Sequence, residues 1–560
     1  MKVVIVGGVA GGATAAARLR RLDETAEIII LERSGYISYA NCGLPYYVGG
    51  EITRRGALTL QTPESFFRRF RIDVRVRQEV VSVDAKKKCV TVRNIESGSD
   101  YTETYDKLIL APGAKPVRPN LPGMESENIF TLRTVEDTFR IYDFIEENKP
   151  RSAVIVGGGF IGLEMAENLV NRGICAAVVQ RPKQVMSPID ADMAAIVHNH
   201  LRSKGVELLL GASVEGFEVR DGRIYTQIAG QEAKGADMVI LAVGVVPEST
   251  LAEEAGLALG VKKAIKVNAH MQTSEPDIYA VGDAVEVAHF VTREKALISL
   301  AGPANKQGRI AADHICGIES SYKGSQGSSV LKLFDLTIAS TGLNTRGAKA
   351  AEIDMDAVIL SPASHATYYP GAGSMTMKVL FEKKTGKILG AQIVGFAGVD
   401  KRIDVLATAI RAKMTAFDLT ELDLAYAPPY SSAKDPVNMA GYAMENILTG
   451  KIEQVQWEEA LAAKEPAVLL DARTDYEYEN GHVENAKHIP VDELRERMHE
   501  LSKDRTYYVY CQSGLRSYLA CRILCQNGYA CYNVAGGYGF YQQSLRDKAP
   551  EPKGKGPCGL

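Results

Sequence analysis

Two stretches of the chain repeat one pattern of apolar and small residues. The run Val3-Val4-Ile5-Val6 leads into Gly7-Gly8-Val9-Ala10-Gly11-Gly12 and then an alanine-rich segment with helical periodicity. Val154-Ile155-Val156 leads into Gly157-Gly158-Gly159-Phe160-Ile161-Gly162 and a second helical pattern. A short unbroken apolar run bounded by glycine reads as a strand buried on both faces, and the 3.6-residue period after it as a helix. The chain therefore carries two strand–glycine loop–helix units. The second domain is inserted into the first, because residues 273–312 return to the first pattern. Further on, Met375–Phe381 and Lys387–Val394 read as strands, followed by a helix from about Asp400 to Ala412 and a turn-rich segment, Tyr426-Ala-Pro-Pro-Tyr430. This α+β region lacks a nucleotide fingerprint and is expected to form a subunit interface. From Trp457 another α/β pattern begins, with strands at Ala467–Leu470 and Tyr507–Tyr510. The expected boundaries are 1–150 with 265–327, 151–264, 328–450, 457–546, and a flexible tail at 547–560.

Composition narrows the partners. The 560 residues are 46% hydrophobic and 24% charged, with a formal net charge of −3. That is an ordinary globular balance, and it gives no pull toward nucleic acid or an acidic membrane. No membrane-spanning run occurs. The apolar start carries one lysine and enters a glycine turn, so it reads as a cytoplasmic N-terminus and not as a signal peptide. Nine cysteines occur without any Cys-x-x-Cys, which argues against a disulfide framework and a zinc site. Cys558 in the tail reads as a vestigial thiol, with reach to an active site as the alternative.

In a dinucleotide site, glycines let the backbone approach a pyrophosphate, and the helix N-terminus supplies N–H donors. The first loop has Gly7, Val9 and Gly12. Glu32, at the end of the strand Ile28–Leu31, is placed for ribose hydroxyls. Ile278-Tyr279-Ala280-Val281-Gly282-Asp283 is a strand ending on an aspartate, resembling the second FAD motif of two-dinucleotide flavoproteins. The second loop, Gly157-x-Gly159-x-x-Gly162 followed by Glu164, fits NAD(P)H. Gln180-Arg181 stands where NADH users place an acid, which removes the repulsion of a 2′-phosphate and leaves NADPH open; NADH is expected from the overall resemblance.

The segment Ser38-Tyr39-Ala40-Asn41-Cys42-Gly43-Leu44-Pro45-Tyr46-Tyr47 has one cysteine where glutathione reductases carry two. A single thiol beside a flavin forms a mixed disulfide with a small thiol or passes through a sulfenate. Residues 1 to about 450 resemble the coenzyme A-disulfide reductase branch of the pyridine nucleotide–disulfide oxidoreductases, and Ser38 through Pro45 fits closely. NADH oxidases and peroxidases also have one cysteine, but they carry a His in the first glycine loop, which this chain lacks.

The resemblance implies FAD contacts at Gly7, Val9, Ala10, Gly12, Glu32, Arg33, Asn41, Val81, Gly113, Arg133, Asp283 and Ala301. It implies nicotinamide-nucleotide contacts at Gly157, Gly159, Phe160, Ile161, Gly162, Glu164, Gln180 and Gly244. Coenzyme A contacts are implied at Thr14, Arg18 and Arg21, which share a helix face, and at Ser38, Asn41, Asn305 and Lys434. Phe70 stands where the family has a lysine, and Arg69 or Arg71 is the expected substitute. Tyr368 and Tyr426 match tyrosines that reach the cysteine from a partner subunit, which implies a homodimer.

Cys511-Gln512-Ser513-Gly514-Leu515-Arg516 follows a strand and opens a helix. Backbone amides, the helix end and Arg516 form an anion cradle that lowers a thiol pKa and stabilises a persulfide. Four residues between Cys and Arg make a smaller loop than the five of Cys-based phosphatases. With Asp471-x-Arg473 and Gly481-His482-Val483, the segment resembles rhodanese domains. Cys521, Cys525 and Cys531 are expected to pack as small apolar groups. The expected fold is α/β: two Rossmann-like dinucleotide-binding domains in a glutathione-reductase-like arrangement, an α+β dimerisation domain and a C-terminal rhodanese-like domain. The expected function is NAD(P)H- and FAD-dependent reduction of persulfides or polysulfides, coenzyme A persulfide among them, with sulfane sulfur carried on Cys511. The alternatives are coenzyme A-disulfide reduction beside an independent sulfurtransferase, an NADH oxidase or peroxidase, and a sulfur-delivery protein with little turnover.

Overall fold

The apolar runs form the centres of two parallel sheets. In the computed structural model, which describes residues 1–549, the strand Lys2–Val6 lies between Glu27–Glu32 and Lys107–Leu110. Asp73–Val76 and Ile278–Ala280 form the edges, and all five strands are parallel. A strand without a polar face needs cover on both sides. Val3 and Ile5 pack with Ala15, Leu19 and Ala311 of the helices Ala10–Leu22 and Ala301–Ile315. Val4 and Val6 pack on the other side with Val80, Val90 and Val92 of an antiparallel meander.

The second sheet repeats this plan. Its order is Ile129–Thr131, Met238–Leu241, Ser152–Val156, Cys175–Gln180 and Glu207–Leu210, again parallel. A second meander, Val214–Arg220, Arg223–Ile228 and Lys234–Ala236, packs Phe217 and Ile224 against Val154 and Val156. Met1–Val185 and Gly205–Gly327 form one compact unit around these sheets.

A second unit holds Met186–Lys204 and the described residues from Ser328 onward. One of its sheets is antiparallel, ordered Ser329–Leu333, Leu336–Gly342, Ile388–Gly395, Met375–Glu382 and Met355–Leu360, with the helix Val399–Ala412 on it. The other is parallel, ordered Gln454–Val455, Ala530–Val534, Thr506–Tyr510, Ala467–Asp471 and Lys487–His488. The helix Gly537–Lys548 runs two residues into the segment expected to be tail. Cys558 lies outside the described residues.

One helix differs from the sequence expectation. Ala191–Ser203 falls between two strands of the second parallel sheet in the chain, yet it belongs to the second unit. Buried Lys378 pairs with Asp190 at 2.9 Å and with Asp192 at 2.7 Å. His198 Nδ1 and Arg202 Nη1 meet Asp547 at 2.9 and 2.7 Å. These partners are far apart in sequence, so no local period signals them. Among the described residues no helix is long and apolar enough to cross a membrane.

Candidate active site

Both glycine loops owe their shape to backbone crowding. A Cβ at Gly7, where φ is +98°, would stand 2.2 Å from Ala111 O, and one at Gly12 would stand 1.9 Å from Gly7 O. The second loop repeats this: Gly157 would meet Ala242 O at 2.3 Å, and Gly162 would meet Gly157 O at 1.9 Å. Gly159 has no heavy atom within 4 Å of its Cβ position, so the loop is open where a pyrophosphate would lie. The residues closing the two sites are also equivalent. Glu32 Oε2 accepts from Gly8 N at 2.8 Å, and Gln180 Oε1 accepts from Gly158 N at 2.9 Å. Gln180 Nε2 donates to Gln184 O at 3.1 Å. Arg33 and Arg181 are exposed, and Ala10, Phe160 and Ile161 sit at the helix starts. Val81 falls at a register shift between Val80 and Ser82, which leaves it without a partner in the strand ladder. These cradles fit two dinucleotides.

Arg133 gathers three other expected flavin residues. Its Nη2 lies 3.2 Å from Asp283 Oδ2, and its Nε donates to Ala114 O at 3.0 Å, beside Gly113. The Asn41 amide bridges the same residue, accepting from Arg133 Nη1 at 2.9 Å and donating to Arg133 O at 3.0 Å. Gly282, at φ +86°, donates its N–H to Gln307 Oε1 at 2.7 Å, a residue the sequence reading missed. Gly244, at φ +110°, has open space at its Cβ position. Ala301 is exposed at the start of the helix Ala301–Ile315.

Cys42 follows Asn41 in a short 3-10 turn, Asn41–Gly43, and is exposed. The helix Leu44–Gly49 begins two residues later and packs on the second loop's helix, Phe160–Asn171. Gly49 is required there, since a Cβ would stand 1.9 Å from Asn168 Oδ1. Tyr46 OH reaches Glu164 Oε1 at 3.4 Å, so residues of both nucleotide domains converge beside Cys42. Burial pushes the Glu164 carboxyl up to about 7, against the Tyr46 hydrogen bond, with Glu167 adding to the rise. Cys42 is open on one side, yet the protein around it pushes its thiol up. Glu164 and Asp283 add to the rise, and Arg133 opposes it.

Of the expected coenzyme A contacts, Thr14 and Asn305 meet directly, Oγ1 to Oδ1 at 2.9 Å. Arg18 Nε is engaged by Asp313 at 2.6 Å, a partner not foreseen from sequence. Arg21 is exposed. Ser38 adopts φ +45° and donates its N–H to Gly8 O at 2.8 Å, a strained backbone that ties the Cys42 segment to the first loop. Arg71, at φ +51°, caps a helix end and stacks its guanidinium over Phe67.

In the second unit, Tyr368 and Tyr426 share a hydroxyl–hydroxyl hydrogen bond of 2.8 Å, and Tyr368 is 74% exposed. Lys434 is exposed on the segment that follows Tyr426. Cys511 is buried at the end of the strand Thr506–Tyr510, with Gly514 N donating to its Sγ at 3.1 Å. Gly514, at φ +101°, opens the helix Leu515–Gln526. Arg516 is held by Glu477 through two bonds of 2.5 and 2.6 Å. That pairing holds the Glu477 carboxyl down to about 2, and sequence reading did not identify Glu477.

Comparison with known proteins agrees with this geometry. Residues 1–308 match the pyridine nucleotide-disulphide oxidoreductase family, 328–436 its dimerisation domain, and 454–543 the rhodanese-like domain. The coenzyme A disulfide reductase of Staphylococcus haemolyticus (strain JCSC1435) is 37% identical over 447 residues, 80% of this chain and 100% of that protein. The crystal structure of reduced Bacillus anthracis CoADR-RHD is 50% identical, with a TM-score of 0.96 over 98% of each chain. A NAD-dependent persulfide reductase from A. fulgidus is 39% identical, with a TM-score of 0.91, covering 97% of this chain and 100% of that one. The chain belongs to the pyridine nucleotide-disulphide oxidoreductases, as a flavin-dependent disulfide or persulfide reductase with a dimerisation domain and a C-terminal sulfurtransferase domain of the rhodanese type.

Proposed function

We propose that the protein reduces persulfides and polysulfides at Cys42 with electrons from NADH, coenzyme A persulfide being the small substrate, and that Cys511 carries sulfane sulfur. One observation carries this reading. The chain joins a solvent-open single thiol at the junction of two nucleotide domains to a buried thiol held by a backbone amide. A sulfur carrier has no evident use in reducing a plain disulfide.

FAD would be held by the Gly7–Gly12 loop, Glu32, Val81, Asn41, Arg133 and Asp283, and the nicotinamide nucleotide by Gly157–Gly162, Gln180, Glu164 and Gly244. When bound, FAD supplies the two-electron link between nicotinamide and sulfur. The Cys42 thiolate attacks the inner sulfur of R–S–SH. A Cys42–S–S–R bond forms, the S–SH bond breaks, and hydrosulfide leaves. The mixed disulfide takes up two electrons and a proton, returning the Cys42 thiolate and R–SH. Arg133 favours the thiolate. Thr14, Arg21, Asn305 and Arg71 would hold the phosphates of coenzyme A; Thr14 and Asn305 already meet, and Arg18 is engaged by Asp313. Tyr368, Tyr426 and Lys434 act from the partner subunit of a homodimer, the tyrosine hydroxyls donating to the leaving sulfur. Gln180 Nε2 donates to Gln184 O and so is not turned toward a 2′-phosphate, which supports NADH.

The test is NADH and NADPH oxidation with coenzyme A persulfide, polysulfide, coenzyme A disulfide and peroxide, in wild type and Cys511→Ser. Persulfide is expected to exceed coenzyme A disulfide by at least about tenfold in kcat/KM, a difference of ~1.4 kcal/mol in transition-state stabilisation. Cys511→Ser is expected to slow polysulfide turnover and leave coenzyme A persulfide nearly untouched. Rapid turnover of the disulfide alone would replace this reading with a coenzyme A-disulfide reductase carrying an independent sulfurtransferase.

Glu164 sets a pH dependence. Its carboxyl titrates at about 7 and, once ionised, raises the Cys42 thiol. Glu164→Gln is therefore expected to move Cys42 alkylation by iodoacetamide to lower pH. An unchanged or higher midpoint would remove Glu164 from the thiol's surroundings.

A further inference from the structure

Three thiols cluster in the rhodanese-like domain. Cys521 and Cys525 lie one turn apart on the helix Leu515–Gln526, and Cys531 lies on the strand Ala530–Val534. Cys525 Sγ stands 3.3 Å from Cys531 Sγ, and Cys531 Sγ lies 3.5 Å from Cys521 O. Cys521 and Cys531 are buried and Cys525 is half-buried. Cys521 and Cys531 lie in the domain's core and Cys525 packs against its edge, so packing accounts for their burial. It does not explain two sulfurs in direct contact with one of them open to solvent. The two atoms need to approach by only about 1.2 Å to reach a disulfide bond length.

We propose that Cys525 and Cys531 form a second sulfane-sulfur site, a dithiol that takes the outer sulfur of a persulfide, releases it as hydrosulfide and closes to a disulfide. Cys525, the open member, attacks the outer sulfur of R–S–SH as its thiolate. The bond between the two donor sulfurs breaks, giving Cys525–S–SH and R–S⁻. The Cys531 thiolate then attacks Cys525 Sγ. The Cys525–Cys531 bond forms, the bond to the terminal sulfur breaks, and hydrosulfide leaves. The two thiol protons end on R–SH and hydrogen sulfide. One persulfide and two thiols thus give one R–SH, one hydrogen sulfide and one disulfide. The sulfane sulfur gains the two electrons that the thiols lose. Two small thiols reopen the pair by exchange.

The two steps differ in their electrostatics. Hydrogen bonding from the Cys521 and Cys525 thiols holds Cys531 below the ordinary thiol range, which favours the thiolate that the resolving step uses. Burial and the neighbouring Cys531 sulfur push Cys525 up to about 11, which disfavours the thiolate that loading uses. Neither step uses nicotinamide, so the reaction is separable from turnover at Cys42.

The test uses the flavin-loaded full chain, reduced, freed of thiol under anaerobic conditions and given glutathione persulfide without NADH. Alkylation, trypsin digestion and mass spectrometry follow. The peptide Ile523–Arg546 holds Cys525 and Cys531 and no other cysteine. It is expected to lose the two thiol hydrogens and resist alkylation, while a persulfide-free control is alkylated at both sites. Cys531→Ser is expected to stop with one extra sulfur on Cys525. Cys525→Ser is expected to release less hydrosulfide than wild type by one equivalent. The proposal is overturned if the wild-type peptide stays fully alkylatable, if the persulfide-free control oxidises equally, or if Cys525→Ser releases as much hydrosulfide as wild type. The wild-type peptide mass decides the matter even where a variant folds poorly.

Discussion

Cys42→Ser is expected to lower NADH-dependent turnover of persulfide, polysulfide and coenzyme A disulfide by at least ~10³-fold, the scale seen when an enzyme loses its nucleophile. A serine hydroxyl cannot form the mixed disulfide. The fold around it does not depend on the sulfur. Cys42 is exposed, and its turn is held by backbone bonds, Gly43 N to Ala40 O at 2.8 Å and Ala40 N to Leu58 O at 2.7 Å. The bonds of Arg133 to Asn41, Asp283 and Ala114 use none of the cysteine's atoms. FAD content and flavin bleaching by NADH are therefore expected to survive, so that rapid-mixing spectroscopy shows normal reduction while steady-state sulfide release stops. Sulfide release above a tenth of wild type would place sulfur reduction elsewhere in the chain. Loss of flavin together with activity would assign Cys42 a structural role instead.

What the sequence made legible was local. A strand, its glycine loop and its helix follow one another within some twenty residues, so both nucleotide domains could be read directly. Even the match of Glu32 with Gln180 lies in the order of strands. The interface strands were found nearly to the residue, Met375–Glu382 and Ile388–Gly395, because apolar runs bounded by turns signal themselves. Pairing across the chain carried no such signal. Tyr46 meets Glu164 at a separation of 118 residues, and Arg516 meets Glu477 at 39. Arg18 stood on a helix face that looked free for phosphates until Asp313 was found against it. The helix Ala191–Ser203 shows the same limit at the level of a whole element. Lys378 and Asp547, both distant in sequence, hold it in the second unit. Cys525 and Cys531 looked like packing residues because their contact needs a turn that brings a strand back over a helix end.

The largest stability effect is expected at a residue no motif marked. Arg402, in the helix Val399–Ala412, is 1% exposed. Its guanidinium donates to Asp435 Oδ2 at 2.9 Å, Ser431 Oγ at 3.1 Å, Ser364 O at 3.0 Å and Gly398 O at 3.2 Å. It therefore joins the segment leading to Tyr368 with the segment running from Tyr426 to Lys434. Arg402→Met keeps the length and much of the volume but leaves several acceptors unmet and the buried Asp435 carboxylate with only Lys401, 3.7 Å away, as a cation; breaking a buried pair costs about 3–5 kcal/mol. Burial alone pushes the Asp435 carboxyl up. The Val437 N–H, the Ser431 hydroxyl and Arg402 overcome this and hold it below the usual range. A depressed carboxyl stabilises the fold above its unfolded pKa, and that contribution is lost as pH falls through the folded value. Wild type should thus weaken in acid. Arg402→Met should lose the part of this acid sensitivity that Arg402 contributes, along with its stability at neutral pH. Adding Asp435→Asn to Arg402→Met should recover part of the loss, because it removes a buried charge left with only the longer Lys401 pair. Urea unfolding of the three proteins at neutral and acid pH measures this, alongside NADH-dependent persulfide turnover. If Arg402→Met lies within about 1 kcal/mol of wild type, the range of a surface ion pair, Arg402 does not anchor the two tyrosine segments. If stability falls while turnover per folded protein holds, Tyr368 and Tyr426 do not act on the leaving sulfur.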